Sequence, residues 1–161
     1  MADAEPSGSY DRDVPALADD EARRRLAAAR RGQLATASPG GVPHVVPITF
    51  AAVDGTLYSA VDSKPKRSTR LRRLANIEAN PAVSVLVDEW DEDWDRLWWV
   101  RADGAARLLG PGAPSAEHDG ATRALRAKYA QYATHALDGV VVAVDIGRVT
   151  GWASRRARSR G

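Results

Sequence analysis

Apolar and polar positions alternate through the middle of this chain in short runs divided by turn residues, which predicts strands rather than helices. Residues 33–38 form one such run, Pro39-Gly40-Gly41 supplies a turn, and 43–52 form the next. In that second run Val46, Ile48 and Phe50 share one face while Val45, Pro47 and Thr49 share the other, as a half-buried strand requires. Pro47 has no N–H to offer a ladder, so it marks an edge or a bulge. Asp54-Gly55 is the strongest hairpin signal and leads into 56–61, making a three-stranded meander the simplest beginning.

A helical period appears in three places. Asp19, Asp20 and Glu21 suit the positive end of a helix and precede an Ala/Arg-rich stretch with Leu26 and Ala29 on one face. This predicts a capped helix ending near Gly32 and covering one end of the sheet. Residues 68–76 read as a second helix, with Leu71 and Leu74 aligned, stopped by Asn80-Pro81 ahead of a strand over 82–88. A long strand follows over 98–109. A helix over 115–135 then aligns Leu125, Tyr129 and Tyr132, and 140–152 closes the sheet. About six strands and three helices in this order predict an α+β fold, mainly β, a small antiparallel barrel rather than a doubly wound sheet.

Composition narrows the picture. A chain of 161 residues, 44% hydrophobic, supports one well-buried core, here expected over 16–154, with an acidic arm at 1–15 and a basic tail at 155–161. The absence of cysteine excludes disulfides, thiolate metal sites and cysteine nucleophiles. No apolar run approaches the ~18 residues of a membrane span, and the first residues lack the pattern of a secretory signal. A cytoplasmic protein without membrane contact is therefore expected. The three histidines, His44, His118 and His135, show no triad or zinc spacing, and no glycine-rich phosphate loop is present.

The net charge of +2 conceals strong segregation. Lys64, Lys66 and Arg67 fall in a strand-to-helix turn, with the hydroxyl of Ser68 and the backbone N–H groups of the helix start beside them; together they make a natural phosphate or carboxylate site. Arg70, Arg72 and Arg73 lie further along and read as a solvated face or contacts for a longer anionic tail. Against this cluster stands the segment 87–99, with six acids between aromatics. It lacks the central Gly and distal Glu of a calcium loop, so no metal is assigned, and a solvated loop or a counterpart to a basic patch on another subunit is the better reading. Trp98 and Trp99 are neighbours in a strand and must point to opposite faces, leaving one free for a subunit or ring contact.

These residues carry a resemblance. The stretch GQLATASPGGVPHVVPITF, the basic turn KPKR, the helix ending in Asn80-Pro81 and the strand WWVRADGAA together resemble the pyridoxamine-phosphate-oxidase-like split-barrel family over roughly residues 20–154. More narrowly, they resemble its actinobacterial branch that uses the deazaflavin coenzyme F420. The resemblance implies a homodimer of six-stranded split barrels with a cofactor in each of two interface grooves. Val46, Pro47, Ile48 and Thr49 would then lie along the ring, using backbone groups. Ser59, Val61 and Asp62 would line the approach to the phosphate, and Lys64, Pro65, Lys66, Arg67 and Ser68 would hold it. Trp99 and Arg101 of the other subunit would complete the wall, with Trp152 as an addition.

The excess of Arg and Lys favours F420, whose polyglutamate tail carries several carboxylates, over FMN as the alternative. Hydride transfer between the ring and a small organic substrate is the implied chemistry. No catalytic acid is identified, and a non-catalytic cofactor-binding role is a further alternative. Nucleic acid is disfavoured because no aromatics interleave with the basic residues.

Overall fold

The computed structural model describes residues 16–61, 71–110 and 115–154. Among these residues seven strands make one antiparallel sheet: β1 (Gly32–Ala37), β2 (Pro43–Ile48), β3 (Ala51–Val53), β4 (Thr56–Ala60), β5 (Ala82–Glu89), β6 (Trp98–Leu109) and β7 (Val141–Ala153). Three α-helices accompany them, α1 (Asp19–Ala28), α2 (Arg72–Ala79) and α3 (Ala116–Lys128), with short 3-10 turns at Trp94–Arg96 and Ala130–Ala133. The α+β split-barrel expectation holds, with seven strands in place of about six.

The sheet order β2-β1-β5-β6-β7-β4-β3 puts β2 and β3 at opposite ends. Only Thr49 and Phe50 separate these two strands, so Ile48 and Ala51 lie within ~11 Å of each other. A sheet whose two ends are consecutive in sequence must curl until they meet. It becomes a barrel, left open by the missing β2–β3 ladder. The expected meander is therefore corrected: β1–β2 and β3–β4 are hairpins, but the run 43–52 breaks at Thr49-Phe50 and feeds both edges of the sheet.

Alternation fills the interior. Leu34, Leu57, Val83, Val85, Val87, Val100, Ala102, Val142 and Val144 point inward with Phe50, and Ala22 and Leu26 of α1 and Ile77 of α2 join the same core. Helix α1 carries acid-to-arginine pairs four residues apart, Asp19–Arg23, Asp20–Arg24 and Glu21–Arg25, in the favourable orientation. It buries Ala22 and Leu26 and lays the Arg25 guanidinium 5.1 Å from the Trp98 ring centroid.

Asp54 and Gly55 take positive φ, 48° and 82°, the geometry of a two-residue hairpin turn. At Gly104 the β6–β7 ladder shifts register, and an added Cβ would lie 2.2 Å from the Asp145 carbonyl oxygen, so only glycine fits.

Four helix boundaries differ from expectation. Helix α1 has no side-chain N-cap, because Ala18 holds that position, and it ends at Ala28 rather than near Gly32, because Ala29 is extended and Gly32 already belongs to β1. Leu71 is extended (ψ 129°), so α2 begins at Arg72 and continues to Ala79, carrying its buried face to Asn76 and Ile77. Helix α3 ends at Lys128 because Tyr129 is extended (φ −125°, ψ 110°) and turns its ring into the core. Among the described residues no helix is long and apolar enough to cross a membrane, which says nothing of membrane-crossing barrels.

Candidate functional site

The outward face of five adjacent strands forms the candidate site. Strand register aligns the outward residues in rows: Pro47, Gln33, Leu86, Arg101 and Thr150 in one, and Val45, Ala35, Ser84, Asp103 and Arg148 in the next. A third row sets Asp88 beside Trp99 and Trp99 beside Trp152. A groove of about 690 Å³ runs over these rows, walled by Val45, Leu86, Trp99 and Trp152, with Trp90, Leu97 and Trp98 at one end. That volume suits a small-molecule ligand. Trp99 is 37% exposed although it is large and apolar.

The two neighbouring tryptophans divide as expected. Trp98 packs against the core beneath Arg25, while Trp99 stands on the outer face.

Besides Asp88 and Glu89 at its rim, this face carries a polar cluster around Arg101. Asp103 accepts from Ser84 Oγ at 2.5 Å and from Arg101 Nε at 3.0 Å, which fixes the guanidinium on the groove floor. Gln33 Oε1 and Thr150 Oγ1, in the same row as Arg101, are buried without a hydrogen-bond partner among the described residues. Orphaned buried polar atoms are uncommon in folded proteins, and two in one row leave that face chemically incomplete.

The other expected site residues, among those described, do not line the groove, although Pro47 heads one of the rows beneath it. Val46, Pro47 and Ile48 occupy β2, the end strand of the sheet, whose backbone groups on the side away from β1 have no ladder partner among the described residues. They are therefore available to the polar edge of a ring.

Thr49 Oγ1 is 2.7 Å from the Tyr132 hydroxyl, and the next residue is gripped by its backbone. Tyr129 Oη accepts from Phe50 N at 3.0 Å and lies 2.7 Å from Phe50 O and 3.0 Å from Arg30 O, its single proton serving these two carbonyls. Burial pushes the Tyr129 hydroxyl above its ordinary range and the hydrogen bond from Phe50 opposes this. Lys128 finishes the corner: its Nζ donates to the carbonyls of Ala27 and Ala29 at 2.9 and 2.6 Å and stands 4.5 Å from the Phe50 ring centroid. Burial first, and Arg30 second, push its ammonium down to about 8.

Ser59 is buried in β4 opposite Val142, and Val61 packs against the main core with its N–H on Val140 O at 2.9 Å. The structure thus brings Trp99, Arg101 and Trp152 into one groove. It keeps Val46, Pro47, Ile48, Thr49, Ser59 and Val61 out of that lining. Asp62, Lys64, Pro65, Lys66, Arg67 and Ser68 lie outside the described residues, as does Arg70. Arg72 is exposed, as a solvated face requires, but Arg73 is not: it is half-buried, and desolvation pulls its guanidinium below the usual value.

Gln33, Ser84 and Leu86 line the groove and were not picked out by motif reading. Only the period of two in β1 and β5 pointed them outward. Among the described residues no three His, Asp or Glu side chains are grouped to hold a metal.

The family model of pyridoxamine 5'-phosphate oxidase matches residues 18–153. The chain belongs to the pyridoxamine 5'-phosphate oxidase family. This family protein is similar to a FAD-binding protein from Mesorhizobium loti, with 30% identity over 86% of this chain and 96% of the other and a TM-score of 0.64. It is also similar in fold to a conserved hypothetical protein from Mycobacterium tuberculosis, with 23% identity over 90% of each chain and a TM-score of 0.69. A FAD-binding protein from Mycobacterium smegmatis shares 24% identity over 86% of this chain and 96% of the other, with a TM-score of 0.56. No curated protein matches this chain.

Proposed function

We propose that this family protein is an oxidoreductase subunit that binds a flavin-type ring, with the deazaflavin F420 as its cofactor, at a site shared between two copies of the chain. The observation that carries this reading is the separation of two half-sites on one barrel. One is an aromatic wall, Trp99 beside Trp152 over the Gln33–Arg101 row. The other is the open edge of β2 running into the Thr49-Phe50 corner. Neither encloses a planar cofactor alone. Two copies that face each other would bring the wall of one against the edge of the other, burying the apolar groove.

The chain's own residues supply binding and exclusion of water. The free N–H and C=O groups of β2 meet the polar edge of the ring, Trp99 covers its face, and Arg101, held by Asp103, offers an anion contact. Lys64, Lys66, Arg67 and Ser68 take the phosphate. The Tyr129 and Tyr132 hydroxyls keep the β2–β3 corner in place without touching the groove lining. When bound, the ring supplies two-electron transfer to or from a small organic substrate.

FAD is the second reading, favoured by the 30% identical FAD-binding relative. Like F420, it extends beyond its first phosphate and suits a strongly basic turn better than FMN does. Parallel fluorescence titrations with oxidised F420, FAD and FMN separate them. F420 binding at about micromolar Kd or tighter, and tighter than either flavin, is expected. FAD binding tighter would replace the deazaflavin by the flavin, and no binding of any of the three would overturn the cofactor site. Substitution of Lys66 and Arg67 by Ala should weaken the preferred cofactor most, and unchanged affinity would refute the phosphate assignment.

A further inference from the structure

The connection between β5 and β6 carries a surface that meets the groove at Trp90 and otherwise plays no part in the cofactor reading. Residues 88–96 hold six acids and one base. The loop is firmly built: Asp91 Oδ1 accepts from Asp93 N at 2.9 Å, Asp93 Oδ1 accepts from Asp95 N at 3.1 Å, and Arg96 reaches Asp91 at 3.2 Å. On this frame Trp90 and Trp94 stand 69% and 72% exposed, the most exposed large apolar side chains among the described residues. Two indoles held out into water beside carboxylates form an aromatic surface that no other described residue covers.

The end of β7 points to its occupant. Ser154 donates its N–H to Leu97 O at 3.0 Å and its hydroxyl to the Asp95 carbonyl, so the chain leaves the barrel fastened to this same loop. The seven residues that follow, 155–161, contain four arginines, Arg155, Arg156, Arg158 and Arg160. Seven residues reach ~24 Å at full extension, ample for a loop whose Asp95 and Leu97 already touch Ser154.

We propose that residues 155–161 dock on the Trp90–Trp94 loop of the same chain, with guanidinium groups over the indole faces and against the neighbouring carboxylates. Arginine suits this surface better than lysine, because its planar group stacks on an aromatic face while its edge pairs with a carboxylate. The charges are complementary, and the docked segment covers two otherwise bare tryptophans and neutralises the acidic rim of the groove at Asp88 and Glu89. This inference is independent of which cofactor binds.

Acrylamide, a neutral quencher, tests it without electrostatic bias. The difference between the full chain and its Trp90→Phe/Trp94→Phe variant isolates these two of the five tryptophans. Ending the chain after Ser154, or making R155A/R156A/R158A/R160A, should raise quenching of this component about two-fold, as the stacked guanidinium groups are lost. In the full chain, about 1 M salt, with its Debye length of ~3 Å, should do the same. Lysine at the four positions should restore only part of the protection. Equal quenching in the full chain and in both variants would overturn the proposal. Protection that grows with protein concentration would overturn it in favour of a second copy as the occupant.

Discussion

The hydroxyl of Tyr129, at the end of α3, lies within hydrogen-bond distance of both the amide and the carbonyl of Phe50, 79 residues away in sequence. Phe50 is fully buried at the corner where the chain passes from one end of the sheet to the other. The backbone of a barrel corner belongs to no ladder, so its polar groups need another partner. Tyr129 is that partner, and the ring beneath its hydroxyl fills the smaller core of Ala51, Leu125 and Leu137.

Tyr129→Phe keeps the ring but leaves the buried Phe50 N–H without its acceptor. A loss of about 1–3 kcal/mol is expected in urea unfolding. Tyr132→Phe removes only the contact to the half-exposed Thr49 hydroxyl and should cost less, about 0.5–1.5 kcal/mol. The reverse order would show that the corner is not held by Tyr129.

Lys128 makes stability depend on pH in the alkaline range. Its ammonium is pushed from the ordinary 10.5 to about 8 in the folded chain, mainly by burial. Between those values the unfolded chain holds a proton that the native state has released, so stability rises with pH across that interval and is flat below it. Lys128→Met, which keeps most of the apolar stem, should abolish the rise, as read from unfolding midpoints at about pH 7.5 and about pH 9.5. An identical rise in the variant would remove Lys128 as its source.

Acid stability should depend on Arg107. It donates to Glu117 and Asp145, and its guanidinium is the first cause holding both carboxyls below their ordinary values. Depressed carboxyls contribute stability that is present above their unfolded-state values and is lost as pH falls through the lower folded ones. These groups are partly exposed, so Arg107→Met should cost a few tenths to about 1 kcal/mol near neutral pH and flatten the acid limb of the stability curve. An unaltered acid limb would contradict this.

The sequence made β6 legible to the residue, because its alternation is uninterrupted from Trp98 to Leu109. The break between β2 and β3 was not legible. Alternation runs straight through Thr49-Phe50, and what separates the strands is the contact with Tyr129, distant in sequence. The same tyrosine explains the early end of α3: its spacing fits a helix, but its hydroxyl is needed at the corner. In the candidate site, Trp99 stood out by residue type and Arg101 only through the family resemblance. Gln33 and Ser84 are unremarkable letters that become a site only when register places them beside Arg101.

The shared cofactor site is tested most directly by titrating oxidised F420 into the full chain and its Trp99→Ala variant side by side. Trp99 lies on the outer face, so its loss should leave the core intact while removing the wall that covers the ring. Saturable binding at about micromolar Kd or tighter, weakened about ten-fold by the substitution, is the expected result. No saturable binding to the unaltered chain, or the same affinity in both, would contradict it.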